Sequence, residues 1–253
     1  GAIIGPALVS LTLVTLGSGL IVHWFAAGVF LLLAIVVFTT RETKPDRRLE
    51  FENQPGRIAG AKKVYLSPVL WLICVIILVY VGVEYGAGSW ATNFMATTTG
   101  MAQENGALVT SAYWAALTIG RLGGAALGSR ISRIRLLMIA VLGSIIGAVL
   151  LVFGIGAGSL STTAFILLGL SFGTMYPTSV GVMVAAFPND QGKAVGLLTA
   201  MGSIGGLSLP WVAGVLLEKV SPLAYTFFLV AGGLIMLVLL ISLGKRLKKE
   251  SAI

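Results

Sequence analysis

Charge is scarce in this sequence. Asp, Glu, Lys and Arg together make up 10% of 253 residues, where soluble domains carry about one quarter. A surface so poor in charge does not face water over most of its area. Cysteine is nearly absent as well: Cys74 stands alone, which excludes an internal disulfide and a cysteine-rich metal site and says nothing of redox compartment. Histidine is equally rare. With His23 as the single imidazole, no metal site built on several histidines can form, and a Ser-His-Asp hydrolase would depend on that one residue.

What fills the chain is apolar. Hydrophobic residues reach 57% and the mean hydropathy is +0.99. The 33 glycines lie inside long apolar runs and not in polar tracts, which is how membrane helices use them. The net charge of +8 suggests an acidic partner, but the basic residues cluster between apolar runs instead of forming a stripe. Nucleic acid is therefore not an expected partner; the lipid bilayer is.

A membrane-spanning helix needs about 20 mostly apolar residues. By that measure eight candidates follow, at roughly 1–20, 24–40, 67–95, 106–129, 135–157, 162–186, 194–217 and 222–243. The first two are separated only by a few residues around Gly17, Ser18, Gly19 and His23, which fits a tight hairpin. The chain is expected to be all-α and polytopic. It opens at Gly1 within an apolar run, without an initiator Met or a signal cleavage pattern, and the start is read as a truncation.

Orientation follows from Lys and Arg. Segment 41–66 holds Arg41, Lys44, Arg47, Arg48, Arg57, Lys62 and Lys63; later even-numbered connections hold Arg130, Arg133, Arg135 and Lys193; the tail adds Lys245, Arg246, Lys248 and Lys249. The odd-numbered connections hold only Lys219, and Arg121 lies within a span. The basic side is expected to be cytoplasmic, with both ends of the chain inside and 41–66, which contains Pro45, Pro55 and Gly56, as a cytoplasmic linker. That linker could also touch anionic headgroups.

Several motifs now carry a resemblance. Gly1-Ala2-Ile3-Ile4-Gly5-Pro6, Gly120-Arg121-Leu122-Gly123-Gly124 and the loop Ser129-Arg130-Ile131-Ser132-Arg133 resemble, in order, the Gly-Pro motif of the fifth helix, a motif of the eighth helix and a worn Asp-Arg-x-Gly-Arg loop of the major facilitator superfamily. Ser129 stands where that loop has Asp, and Ser132 where it has Gly. Tyr80-Val81-Gly82-Val83-Glu84-Tyr85-Gly86 with Trp90, Tyr113-Trp114 and Met175-Tyr176-Pro177 are similar to the fucose/glucose/galactose:proton symporter branch. The resemblance implies helices five to twelve of a twelve-helix transporter. Residues 1–40 would be the last two helices of the N-terminal half, 41–66 the linker and 67–253 the C-terminal six-helix bundle with a basic tail. The first four helices would then be missing partners.

Glu84 and Arg121 are the charged residues well inside predicted spans, where a charge costs about 2.5 to 3.5 kcal/mol on insertion scales. Their depths differ by roughly 9 Å at 1.5 Å per residue, within reach of an extended Arg. They suit two roles. One is ion coupling by a carboxylate whose proton affinity changes with conformation, a proton being the expected ion; the other is a structural pair orienting two helices.

Ser111, Trp114, Thr118 and Arg121 share a helix face, as do Ser171, Thr174 and Thr178, while Tyr80 and Glu84 lie one turn apart. Aromatic plates with hydroxyl and amide groups suit a ligand with an apolar ring face and polar edges, such as a monosaccharide. Tyr80, Trp90, Asn93, Trp114, Thr118, Thr174 and Tyr176 are the candidate substrate residues. For each, interhelical bonding or interfacial anchoring is the alternative. Gly82 with Gly86, Gly169 with Gly173, and Gly192 with Gly196 have the spacing of small-residue helix contacts, and Pro177 and Pro210 free backbone carbonyls that can bend a helix or line a cavity.

Two motifs are decoys. Gly169-Leu170-Ser171-Phe172-Gly173 matches a nucleophile elbow, but that elbow needs a strand-turn-helix setting. Gly154-Ile155-Gly156-Ala157-Gly158 lacks the third spacing of a dinucleotide fingerprint and follows no strand. No enzyme, cofactor or metal is expected. The function implied is proton-coupled sugar symport by alternating access in a cell membrane. The alternatives are an efflux antiporter of the same superfamily and a non-transporting membrane subunit or receptor.

Overall fold

Long apolar runs with few breakers dictate helices, because in lipid a helix alone satisfies its backbone without a neighbour. The computed structural model describes residues 4–16, 20–39 and 64–250, and every regular element among them is helical. In chain order these are α1 (Ile4–Leu16), α2 (Leu20–Thr39), α3 (Pro68–Thr99), α4 (Gln103–Leu127), α5 (Arg133–Phe153), α6 (Gly158–Gly173), α7 (Met175–Ala186), α8 (Gln191–Val215) and α9 (Pro222–Glu250), with a π-helical turn at Leu216–Val220 between the last two. The expected linker, all but its last three residues, and the hairpin turn at Gly17–Gly19 lie outside the described residues.

Counted as rods, with α6 running into α7 and α8 into the π turn, the described residues give eight. Six are long and apolar enough to cross a membrane among the described residues. The two exceptions have physical causes. The described part of α1 is only 13 residues. At 25 residues, or about 37 Å, α4 is long enough; its Gln103, Glu104, Asn105, Thr118 and Arg121 lower its mean hydropathy.

Helix ends follow local chemistry. Pro68 sits in the first turn of α3, where its missing N–H costs nothing. Gly100 ends the same helix at φ 66°, a left-handed conformation that glycine adopts without strain. The Ser132 side chain accepts from the Arg135 N–H and caps α5. The two decoys are resolved here, since Gly169 to Gly173 is helical and Gly154 to Gly158 forms the α5–α6 turn, with Gly156 at φ 83°.

The core lies among α3, α4, α5, α6, α8 and α9, where Ile73, Ile77, Phe94, Tyr113, Phe165, Phe172, Leu198 and Met236 are buried. The broadest contact is α3 on α8, followed by α4 on α6. Glycine makes that second contact close. A Cβ at Gly120 would meet the Leu170 carbonyl, and one at Gly173 the Leu117 carbonyl. Gly82 and Gly86 face α8 at Leu209 and Ala213, but Gly196 faces open space, so the expected pair on that helix is not a packing seam.

On the other side, α1 packs along α4. The apolar side chains of α2, among them Trp24, Phe25, Phe30 and Phe38, are exposed. A helix apolar all round belongs in lipid or against protein.

Candidate functional site

One proline shapes the site. Pro177 lacks an N–H and its ring crowds the carbonyl four residues back, at Gly173, and α6 ends at Gly173 before α7 starts at Met175. Beside the interruption the Phe172 carbonyl accepts from the Thr174 N–H and from the Tyr80 hydroxyl of α3 at 3.2 Å. The Met175-Tyr176-Pro177 motif thus makes a helix break stitched to α3, and it sets Tyr176 and Pro177 at the edge of a cavity.

That cavity, of about 820 Å³, opens between α3, α4, α7 and α8 and is lined by Tyr80, Glu84, Tyr85, Arg121, Tyr176 and Thr199, with Val81, Pro177, Gly202, Ser203, Gly206 and Leu207. Gly202 and Gly206 leave room on the α8 side. Its volume falls in the usual range of small-molecule sites.

Glu84 and Arg121 meet in its wall. Arg121 Nη2 lies 3.8 Å from Glu84 Oε1, and the carboxylate side chain is 4% exposed against 52% for the guanidinium. Two tyrosines fix the carboxylate's helix. Tyr113 of α4 donates to the Glu84 backbone carbonyl at 2.8 Å, and Tyr225 of α9 donates to the Gly86 carbonyl, two residues on, at 3.3 Å. Both tyrosines are fully buried. Tyr80, one turn before Glu84, interacts with its carboxyl group as well.

Of the nine residues nominated from sequence, the structure brings Tyr80, Glu84, Arg121 and Tyr176 together on this cavity. The other five sit elsewhere. Trp90 donates from Nε1 to the Pro210 carbonyl at 2.8 Å and lays its ring on Gly214. Trp114 packs over Gly88 and edge-on to Tyr85, with ring centroids 5.6 Å apart. The Thr118 hydroxyl is bonded to the Trp114 carbonyl of its own helix at 3.0 Å. Thr174 is buried against Gly124. Asn93 borders a separate space of about 350 Å³ with Gln103 and Glu218.

The lining residues that sequence reasoning missed are Tyr85 and the α8 set, above all Thr199 and Ser203. Their signal was four-residue spacing, with Gly202 and Gly206 repeating it on the same helix. It was faint because both hydroxyls also bond their own helix, Thr199 to the Val195 carbonyl at 3.0 Å and Ser203 to the Thr199 carbonyl at 3.1 Å. The Tyr176 hydroxyl reaches Thr199 Oγ1 at 3.4 Å, tying α7 to α8 at the rim. Chemically the site offers one sealed carboxylate, one exposed guanidinium, hydroxyls and three tyrosine side chains. Among the described residues no group of His, Cys, Asp and Glu is placed to hold a metal ion.

The sequence matches the family described as Major Facilitator Superfamily over two overlapping stretches, residues 1–190 and 85–252. No curated protein matches. Among solved structures similar to this chain is one described as a Major Facilitator Superfamily transporter, FucP, in the outward conformation. The two agree with a TM-score of 0.64 at 15% identity, over 88% of this chain and 54% of that one. The chain spans about half the length of that structure, and at this identity the likeness is one of fold.

Proposed function

We propose that this chain, which belongs to the Major Facilitator Superfamily, is part of a secondary transporter that moves a small solute across a bilayer by alternating access. The supporting observation is the joint position of Glu84 and Arg121 in the wall of an 820 Å³ cavity. A charged pair within membrane-spanning helices is costly and rests where protein or water receives it. Here the cavity is also where a solute would enter.

In this reading the solute is a monosaccharide and the coupling ion a proton. The Tyr85 and Tyr176 rings offer apolar faces, Tyr176, Thr199 and Ser203 offer hydroxyls, and Arg121 offers donors to a sugar's ring and edge oxygens. Glu84 is the titrating group. Residues 67–253 form the C-terminal bundle, 1–40 the last helices of the other half, and the facing wall of the cavity comes from the rest of the transporter. The positive-inside rule puts 41–66 and both chain ends in the cytoplasm, with a cell membrane as the location.

The test is uptake of labelled monosaccharides into liposomes holding the complete transporter, under an imposed proton gradient. Accumulation that a protonophore abolishes is the expected result. Uptake indifferent to the gradient rejects proton coupling, and gradient-driven movement of amphipathic compounds in the opposite direction, without sugar uptake, favours the antiporter.

A further inference from the structure

At the far end of the bundle from the outer loops, α5 begins where α9 ends, so the two run antiparallel and bring together charges distant in sequence. Between them lies a groove of about 640 Å³ lined by Ser132, Arg135, Lys245 and Lys248 and by Ile134, Met138, Leu240 and Ile241; along the two helices Met138, Leu240 and Ile241 stand about one turn further into the spans than the charges. The three cations are exposed. The ion pairs among the described side chains are Arg121 with Glu84 and Lys193 with Asp190, and none of the three cations belongs to either.

The layering is what identifies the occupant. Both helices are apolar enough to cross a membrane, and the charged residues stand at the terminal turns of those spans, at headgroup depth. Free phosphate or a nucleotide would use the cations but leave the apolar floor wet, and a neutral lipid would use the floor but leave three charges unmatched. One molecule satisfies both layers. We propose that the α5–α9 groove is a site for an anionic phospholipid of the bilayer, its phosphate among Arg135, Lys245 and Lys248 and an acyl chain along Ile134, Met138, Leu240 and Ile241. Arg135 supplies a planar fork that binds phosphate through two parallel hydrogen bonds, and the lysines add point charges. Clustered cations at a membrane surface attract anionic lipid.

The site lies apart from the solute cavity and does not depend on what that cavity carries. Its test is native mass spectrometry of the purified full chain in detergent, with palmitoyl-oleoyl phosphatidylglycerol or the matching phosphatidylcholine added at equal concentration. Phosphatidylglycerol is expected to be retained at least fivefold more than phosphatidylcholine. Combining Arg135→Gln, Lys245→Gln and Lys248→Gln should remove most of that preference, while Arg130→Gln, Arg133→Gln and Arg246→Gln together, which take the same charge from the same end outside the groove, should change retention less than twofold. Equal losses in the two triple variants, or equal retention of the two lipids, overturn the proposal. Displacement of the lipid by millimolar inorganic phosphate also overturns it, since a site with an apolar floor holds the lipid against a free anion. Where the first triple variant fails to give a monodisperse peak, the three single variants replace it, and unchanged retention in all three is the overturning result.

Discussion

Arg121 and Glu84 are unequal partners: Nη2 and Oε1 are 3.8 Å apart, yet the carboxylate side chain is sealed at 4% exposure while that of Arg121, which lines the cavity, is 52% exposed. The asymmetry follows from the backbone. Tyr113 and Tyr225 pin α3 at Glu84 and two residues beyond it, whereas Arg121 projects from α4 beside Gly120, where the chain lies against the Leu170 carbonyl. Arg121→Ala would strand the buried carboxylate. Fully buried pairs lose about 3–5 kcal/mol on such a change, and the exposure of this guanidinium lowers the expectation to about 1–2 kcal/mol. Thermal unfolding in detergent would read it as a fall of several degrees, and an unchanged midpoint would mean that the pair contributes nothing to stability.

Tyr113 offers a separable test of how Glu84 is positioned. Tyr113→Phe keeps the ring on Phe165 and Trp114 but removes the donor to the Glu84 carbonyl, an expected loss of about 0.5–1.5 kcal/mol. Thr118→Val removes a hydroxyl that bonds only its own helix at the surface. It should cost less than Tyr113→Phe in the same unfolding assay, and the reverse order would contradict the positioning role.

Glycine substitutions should sort by what the added methyl meets. Gly120→Ala drives a Cβ into the Leu170 backbone carbonyl, which cannot rotate away, and forced overpacking of this kind costs about 1–3 kcal/mol. Gly196→Ala meets nothing and should gain about 0.5–1 kcal/mol from helix propensity. Unfolding midpoints moving in opposite directions are the expected outcome.

This contrast marks what the sequence can reveal. The eight apolar stretches were legible because lipid leaves the backbone no option but helix, and the charge pair because a charge in such a stretch has few places to go. Side-chain direction was not legible. Trp90 and Trp114 have the composition of sugar-stacking plates, but each fills a hollow above a glycine on a neighbouring segment, Gly214 and Gly88, and no pattern within one helix reports the hollow in another. The hydroxyls of Thr118 and Thr199 are equivalent in sequence, each on its own i−4 carbonyl; only the packing of α3 against α8 decides that Thr199 borders the cavity.

The cavity itself can be mapped by thiol chemistry, because the native Cys74 is fully buried and gives a silent background. Thr199→Cys and Ser203→Cys should react with a membrane-impermeant maleimide in the transporter, and a saturating substrate should slow both by severalfold. Ala213→Cys, at a buried position, should stay unlabelled throughout. Protection absent at both 199 and 203 would remove the substrate from this cavity.

The coupling role proposed for Glu84 makes the sharpest demand. In the state described here Arg121 lies 3.8 Å from the carboxylate. When the two halves of the transporter rock and the guanidinium withdraws, a carboxylate held in a sealed wall loses its counter-charge and can take up a proton. Glu84→Gln keeps the shape and removes the titration, so it should abolish accumulation driven by a proton gradient while preserving downhill exchange of substrate, which needs the cavity but no net proton movement. A purely structural pair predicts otherwise. The Gln variant would then yield less folded protein, and Glu84→Arg combined with Arg121→Glu would recover it by restoring the attraction. Gradient-driven uptake and exchange, measured in liposomes and normalised to folded protein, separate the two roles, and full accumulation by the Gln variant would eliminate Glu84 as the coupling group.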